Sequence, residues 1–298
     1  MIFEEYNYKY KEFIQKKLSY FTEITFSIEE DKTFSVKRAL EESTEVFFTD
    51  KTKIFSLDMD IFYKGLCSEI IGFNKRVEKQ LLNVKKLNDE FDYTWNFVSE
   101  YYLSFFLVTT LTRFNNKFSV FLSSEEAGKL SHIATEREKE ILQINPGQYV
   151  LTIDSKDYEM KVVTIRLEPK RDTHVTAWDL FSIFLKDYKN SDNSNTTLED
   201  NLLASLEQFF QQRNNILSIC RNEMNYKYHF GYEKVSQFKL YNDINWSSDF
   251  SSIQDKLLKL PHTPNMQECV NNIVVINYFL TELLKTIYHD FEKKLGLS

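Results

Sequence analysis

A chain of 298 residues with 42% hydrophobic and 27% charged side chains can bury a sizeable core, which excludes intrinsic disorder and allows one large domain or two modest ones. With 6 Gly and 4 Pro against 26 Phe and 17 Tyr, long helices are favoured over an all-β fold, which would need turn residues at regular intervals. A net charge of −7 gives no global attraction to nucleic acid, so any phosphate contact would rest on a local basic patch.

Helical spacing of Phe3, Tyr6, Tyr10, Phe13, Ile14 and Leu18 predicts a helix over residues 3–20, and alternation predicts a short strand over 22–28. Residues 34–48 and 55–86 read as helices, the second with a bend marked by Gly65 and Gly72. The most apolar stretch, 89–114, carries aromatic residues on nearly every side, the mark of a helix buried centrally. Ser123 or Ser124 is placed to cap the next helix, with Glu125 and Glu126 in its first turn and an end near Leu142, before Pro146-Gly147.

The period then changes. Residues 148–153 and 158–167 alternate around a turn at 154–157, which predicts a β-hairpin. A helix capped by Thr173 or Thr176 follows, to about Tyr188. Residues 189–197, rich in Asn and Ser, read as a loop. Thr197 and Asp200 resemble a capping box opening a helix from 198 to about 228. Residues 230–245 read as irregular, and helices near 248–260 and 266–294 flank Pro261 and Pro264. The expected fold class is mainly α: a helical bundle with a small inserted β-hairpin at about 148–167, divided into an N-terminal helical region, 1–88, and a bundle, 89–298.

Cys67, Cys220 and Cys269 are odd in number and far apart, so reduced thiols and a cytoplasmic location are expected, with no disulfide-linked partner. The charged, aromatic start of the chain is unlike a signal peptide. No run of about 18 apolar residues occurs, so no membrane partner is expected. Phosphate-binding loops, dinucleotide fingerprints and zinc-ligand spacings are all missing, so neither a metal nor a cofactor is expected. No two of His132, His174, His229, His262 and His289 share a helical face at i, i+4. His174 is expected to help a helix start and His262 to lie in a turn.

The stretch from 208 to 231 gathers the chemistry. Leu206, Phe209, Phe210, Leu217, Cys220 and Met224 form an apolar stripe that includes Arg213, and a charge held there needs a partner. Arg221, Asn225 and Tyr228 lie on an adjacent strip, with Asn222, Tyr226 and His229 close by. Such a set suits phosphate neutralisation by Arg and proton transfer by Tyr or His. The same residues also suit a plain ion-pair network with packed tyrosines.

The segment Arg221-Asn222-Glu223-Met224-Asn225-Tyr226 resembles the Arg-Asn-x-x-x-His motif of the HEPN superfamily, with Tyr in place of His. The order of a Tyr101-Tyr102-Leu103-Ser104-Phe105-Phe106 helix reaching Leu111-Thr112-Arg113, an inserted segment and a later Arg-Asn helix resembles HEPN and YaaC-like proteins. A second copy, Arg213-Asn214, has Ser218 at the last position, and His229 falls three residues beyond the family spacing. The resemblance implies a metal-independent ribonuclease built across two protomers, in toxin–antitoxin or anti-phage defence systems. It implies catalytic roles for Arg221, Asn222, Tyr226 and His229, substrate binding by Arg213 and Asn225, and RNA, a partner protein or a second copy as partners. Two alternatives stand beside it. One is a non-catalytic helical subunit that binds a partner protein through aromatic faces. The other is a small-molecule binding domain with its pocket between hairpin and aromatic helix.

Overall fold

The computed structural model describes residues 16–21, 34–49, 52–87, 93–139, 141–190, 197–211, 213–226 and 250–297. The strand expected at 22–28 and the irregular stretch at 230–245 lie outside the described residues, as do most of the helix expected at 3–20 and of the loop expected at 189–197. After a 3-10 turn at Ser19–Phe21 come α1 (Val36–Glu41), β1 (Glu45–Phe48), β2 (Lys53–Asp58), α2 (Met59–Leu87), α3 (Tyr93–Arg113), β3 (Lys117–Leu122) and α4 (Ser124–Glu138). Then follow β4 (Gly147–Asp157), β5 (Val162–Lys170), α5 (Thr173–Lys189), α6 (Thr197–Phe210), α7 (Ile216–Tyr226), α8 (Phe250–Leu258) and α9 (Met266–Lys294).

The fold is mainly α, as expected, but the β component is larger than one hairpin. All pairings are antiparallel, in the order β1-β2-β5-β4-β3. The two strands expected as a hairpin, β4 and β5, occupy its middle, and β2 pairs along β5 from Lys53↔Leu167 to Asp58↔Val162. The sheet thus joins strands from both sides of residue 88. Residues 45–48 and 55–58, expected within helices, are extended instead: β1 pairs with β2, and β2 takes its other partner from β5, more than a hundred residues later; such pairing overrides local propensity. The β4–β5 turn falls after the expected one. A register shift at Ile153/Ser155 lets both strands run on, Asp157 Oδ1 accepts from Met160 N, and Lys161 takes the left-handed conformation at φ 53°.

Central burial of the aromatic helix is observed. Phe97, Tyr101, Leu103, Leu107, Val108 and Leu111 are all enclosed, because α2, α5, α7 and α9 pack around α3. Asn277 on α9 ties that helix to α3. Its Nδ2 donates to the Glu100 carbonyl at 2.8 Å and to Glu100 Oε2 at 2.6 Å, while Ser104 Oγ donates to its Oδ1. The far end of α3 is held by Arg113, whose Nε donates to Glu69 Oε2 at 3.0 Å and whose guanidinium lies 3.8 Å from the centre of the Phe73 ring. Both groups are buried, and mutual pairing offsets the desolvation of each charge.

Capping fixes the helix starts. Ser123, one of the two residues expected to cap α4, is its N-cap, and with Glu126 it forms a capping box. The start of α5 differs from expectation: Asp172, not Thr173 or Thr176, accepts from Val175 N. The helix expected over 198–228 is two helices, because α6 stops at Phe210 and the chain turns, with Ile216 N bonded to Arg213 O and Asn214 reaching Asp179 Oδ1. Glycine matters most at 65, where α1 crosses α2. A Cβ there would lie 2.8 Å from the Ser35 carbonyl carbon and oxygen. Gly65→Ala is therefore expected to lower stability by about 1–3 kcal/mol, read by chemical denaturation, because backbone must move.

Candidate functional site

Arg221 sits on the inward face of α7, 7% exposed. Leu217, Ser218, Cys220 and Met224 share that face, so the apolar stripe read from the sequence carries the guanidinium into the bundle. Its charge has no carboxylate partner among the described residues. Nη2 lies 2.9 Å from His174 Nε2, and the guanidinium packs 5.3 Å and 5.8 Å from the ring centres of Tyr101 and Tyr102. His174 Nδ1 in turn lies 2.8 Å from the Tyr101 hydroxyl, and its ring packs 4.7 Å from that of Phe105. Three helices therefore build one cluster: α3 brings Tyr101 and Tyr102, α5 brings His174 and Trp178, and α7 brings Ser218 and Arg221.

The hydrogen-bond chemistry fixes direction. Arg only donates, so the bond at 2.9 Å makes His174 Nε2 the acceptor. The neutral ring then carries its proton on Nδ1 and donates it to the Tyr101 oxygen. Ser218 completes the surroundings of that oxygen; the Trp178 indole N–H faces it without a full hydrogen bond. Arg221 Nε is also buried without a partner. The cluster is thus rich in N–H and O–H donors and poor in acceptors, a composition suited to an anion.

Burial, then the Arg221 charge, pushes the His174 pKa below its usual value, with Asp172 opposing. Burial raises that of Tyr101 against the opposing influence of Ser218, Trp178 and the Arg221 charge. At neutral pH the imidazole is accordingly an uncharged base. An unfolded histidine binds a proton below about pH 6.5 that the folded ring resists, so stability is lost as pH falls through that value. In melting curves from about pH 7 to 5, wild type is expected to lose more stability than His174→Gln, whose amide oxygen accepts from Arg221 without titrating.

Of the other candidate residues, the four described ones are not brought to this cluster. Asn222, Asn225 and Tyr226 face outward on α7, with Tyr226 78% exposed. Arg213 lies in the break before α7, exposed, beside Phe209, Ile216, Thr263 and Pro264, which line a groove of about 140 Å³. His229 lies outside the described residues. His174 and Tyr101 were not anticipated as partners of Arg221. One signal was available: a buried tyrosine needs a hydrogen-bond partner, and Tyr101 falls within the helix expected to be most enclosed.

Cys67, Cys220 and Cys269 are buried free thiols. Among the described residues no helix is long and apolar enough to cross a membrane, and no cluster of three His, Cys, Asp or Glu is placed to hold a metal. No protein-family model, curated protein or solved structure matches the chain.

Proposed function

We propose that this is a HEPN-like helical protein that binds RNA through Arg221 and cleaves it without a metal, in a toxin or anti-phage defence system. The observation that carries the reading is a buried guanidinium held by a neutral imidazole rather than by an acid. An unmatched Arg keeps its charge available to a phosphate, and its fork suits two phosphate oxygens. His174, from α5, supplies the imidazole that the motif on α7 lacks at Tyr226. RNA would approach from the side of His174, Tyr102 and Phe105, which are all half-buried.

The steps follow from the bond directions. A phosphate that takes Nη2 of Arg221 leaves Nε2 of His174 without its donor. That nitrogen accepts the proton of the ribose 2′-hydroxyl as the 2′ oxygen attacks phosphorus, and the 5′ oxygen of the next nucleotide departs. The imidazolium returns the proton to the departing oxygen, leaving a cyclic phosphate. Arg221 offsets the charge gathering on the phosphoryl oxygens.

The test is expression in a bacterial host, with and without phage challenge, following growth and RNA integrity. Wild type is expected to arrest growth and degrade RNA in at least one condition, and His174→Ala and Arg221→Lys to do neither. Intact RNA and unimpaired growth with wild type in both conditions would sink the proposal. A second reading, a non-catalytic helical subunit of a defence or regulatory complex, is favoured by the exposed Asn222, Asn225 and Tyr226 on the outer face of α7. Capture of one defined partner by wild type but not by Tyr226→Ser, with RNA left intact, would support it.

A further inference from the structure

We propose that the groove between α2 and α9 binds a small alkylammonium ion. This site is separate from the Arg221 cluster and does not depend on the reading given for it. Val77 and Leu81 of α2 and Leu284 of α9 supply its apolar lining, and its volume is about 150 Å³. A cavity of about that size holds a molecule as large as benzene, so a chain of four carbons and one nitrogen fits.

The polar end of the groove is acidic. Glu78 and Glu292 both line it, and neither forms an ion pair with a described residue; Glu78 accepts only from Asn74 Nδ2, at 2.9 Å. Lys285, on the rim, is matched by Glu282 at 2.7 Å, outside the lining, and His289 is the remaining ionisable group. Tyr288 lines the same end, half-buried, with Asn74, Glu78 and Glu292 as fellow lining residues. Its phenol pKa is pushed up to about 12 by burial and by the charges of Glu292 and Glu78. The field at that ring therefore favours a cation, and the ring face adds its own attraction.

A second observation points the same way. Thr281 lines the groove, is 3% exposed, and its hydroxyl has no hydrogen-bond partner. The neighbouring Thr286 instead satisfies its own hydroxyl on the Glu282 carbonyl. A buried hydroxyl without a partner costs stability unless something completes it. An ammonium offers three donors, enough for two carboxylates and one hydroxyl or phenol oxygen, while its alkyl chain covers the leucines and valine. A neutral alcohol of the same shape lacks the charge, and sodium lacks the apolar tail.

Isothermal titration of the full chain with butylammonium chloride tests this, with butanol and sodium chloride at matched ionic strength as controls. Saturable binding of butylammonium alone is expected. Glu78→Gln and Glu292→Gln should each weaken it about tenfold, the loss of one charge-assisted bond. Both positions border solvent, so the folded fraction, checked by circular dichroism, should not change. The proposal is overturned if butylammonium gives no saturable heat, if butanol binds equally well, or if both variants bind as wild type does.

Discussion

Glu100→Gln is expected to stabilise the protein at neutral pH by about 1–2 kcal/mol, with a gain that depends on pH. Glu100 is 1% exposed, between α3 and α9, and burial pushes its pKa from 4.5 up to about 8, against the opposing hydrogen bond from Asn277. Its folded-state pKa therefore lies above its unfolded one. The unfolded carboxyl ionises in water from pH 4.5 upward while the folded one stays protonated until pH 8, so folding must carry a proton that the unfolded chain sheds. The cost is nil below the lower value and reaches on the order of 3 kcal/mol near neutrality. A glutamine keeps the acceptor for Asn277 Nδ2 and removes the titration. Its amide nitrogen falls where Glu100 Oε1 has no partner, which returns part of the gain. Denaturant unfolding across pH should show wild type losing stability relative to the variant from about pH 4.5 to 8, the difference levelling off outside that window. Parallel curves would mean that Glu100 is ionised and paired in the fold.

The second large effect concerns Arg221 and His174 in RNA cleavage by purified protein. His174→Ala is expected to slow cleavage about 100- to 10,000-fold through loss of the general base. Arg221→Lys keeps a cation but loses the planar fork, and a loss of about a thousandfold or more is expected if the guanidinium stabilises the transition state. Arg221→Ala is harder to interpret, because the guanidinium is enclosed against Tyr101 and Tyr102 and truncation also removes packing. Melting temperatures measured alongside separate the two effects: a folded His174→Ala that cleaves at the wild-type rate rules out the imidazole as base.

Elements whose partners lie nearby in sequence were legible. The alternation at 148–167, the Ser123 capping signal and the aromatic density at 89–114 each match what the fold contains, because each reports a local preference or simple enclosure. The strands β1, β2 and β3 were not legible, since a four- or six-residue extended segment takes its structure from whatever lies beside it. The break between α6 and α7 was hidden for a related reason: Asn214 is an ordinary surface residue of a helix until Asp179, on another element, offers it a partner, and Arg213, expected within the apolar stripe, lies exposed in the break instead. Arg221 stood out in sequence and proves central to a polar cluster. Its real partners come from α3 and α5, and spacing along one helix carries no information about them.

The position of β2 has a consequence for biogenesis. Synthesis delivers this strand with only β1 for company, and β5 emerges more than a hundred residues later. In the interval one backbone edge of β2 is a template for any extended chain, the situation that invites intermolecular pairing and chaperone capture. A ribosome stalled before residue 162 should hold a nascent chain that is protease-sensitive around 45–58, and release of the complete chain should close that window.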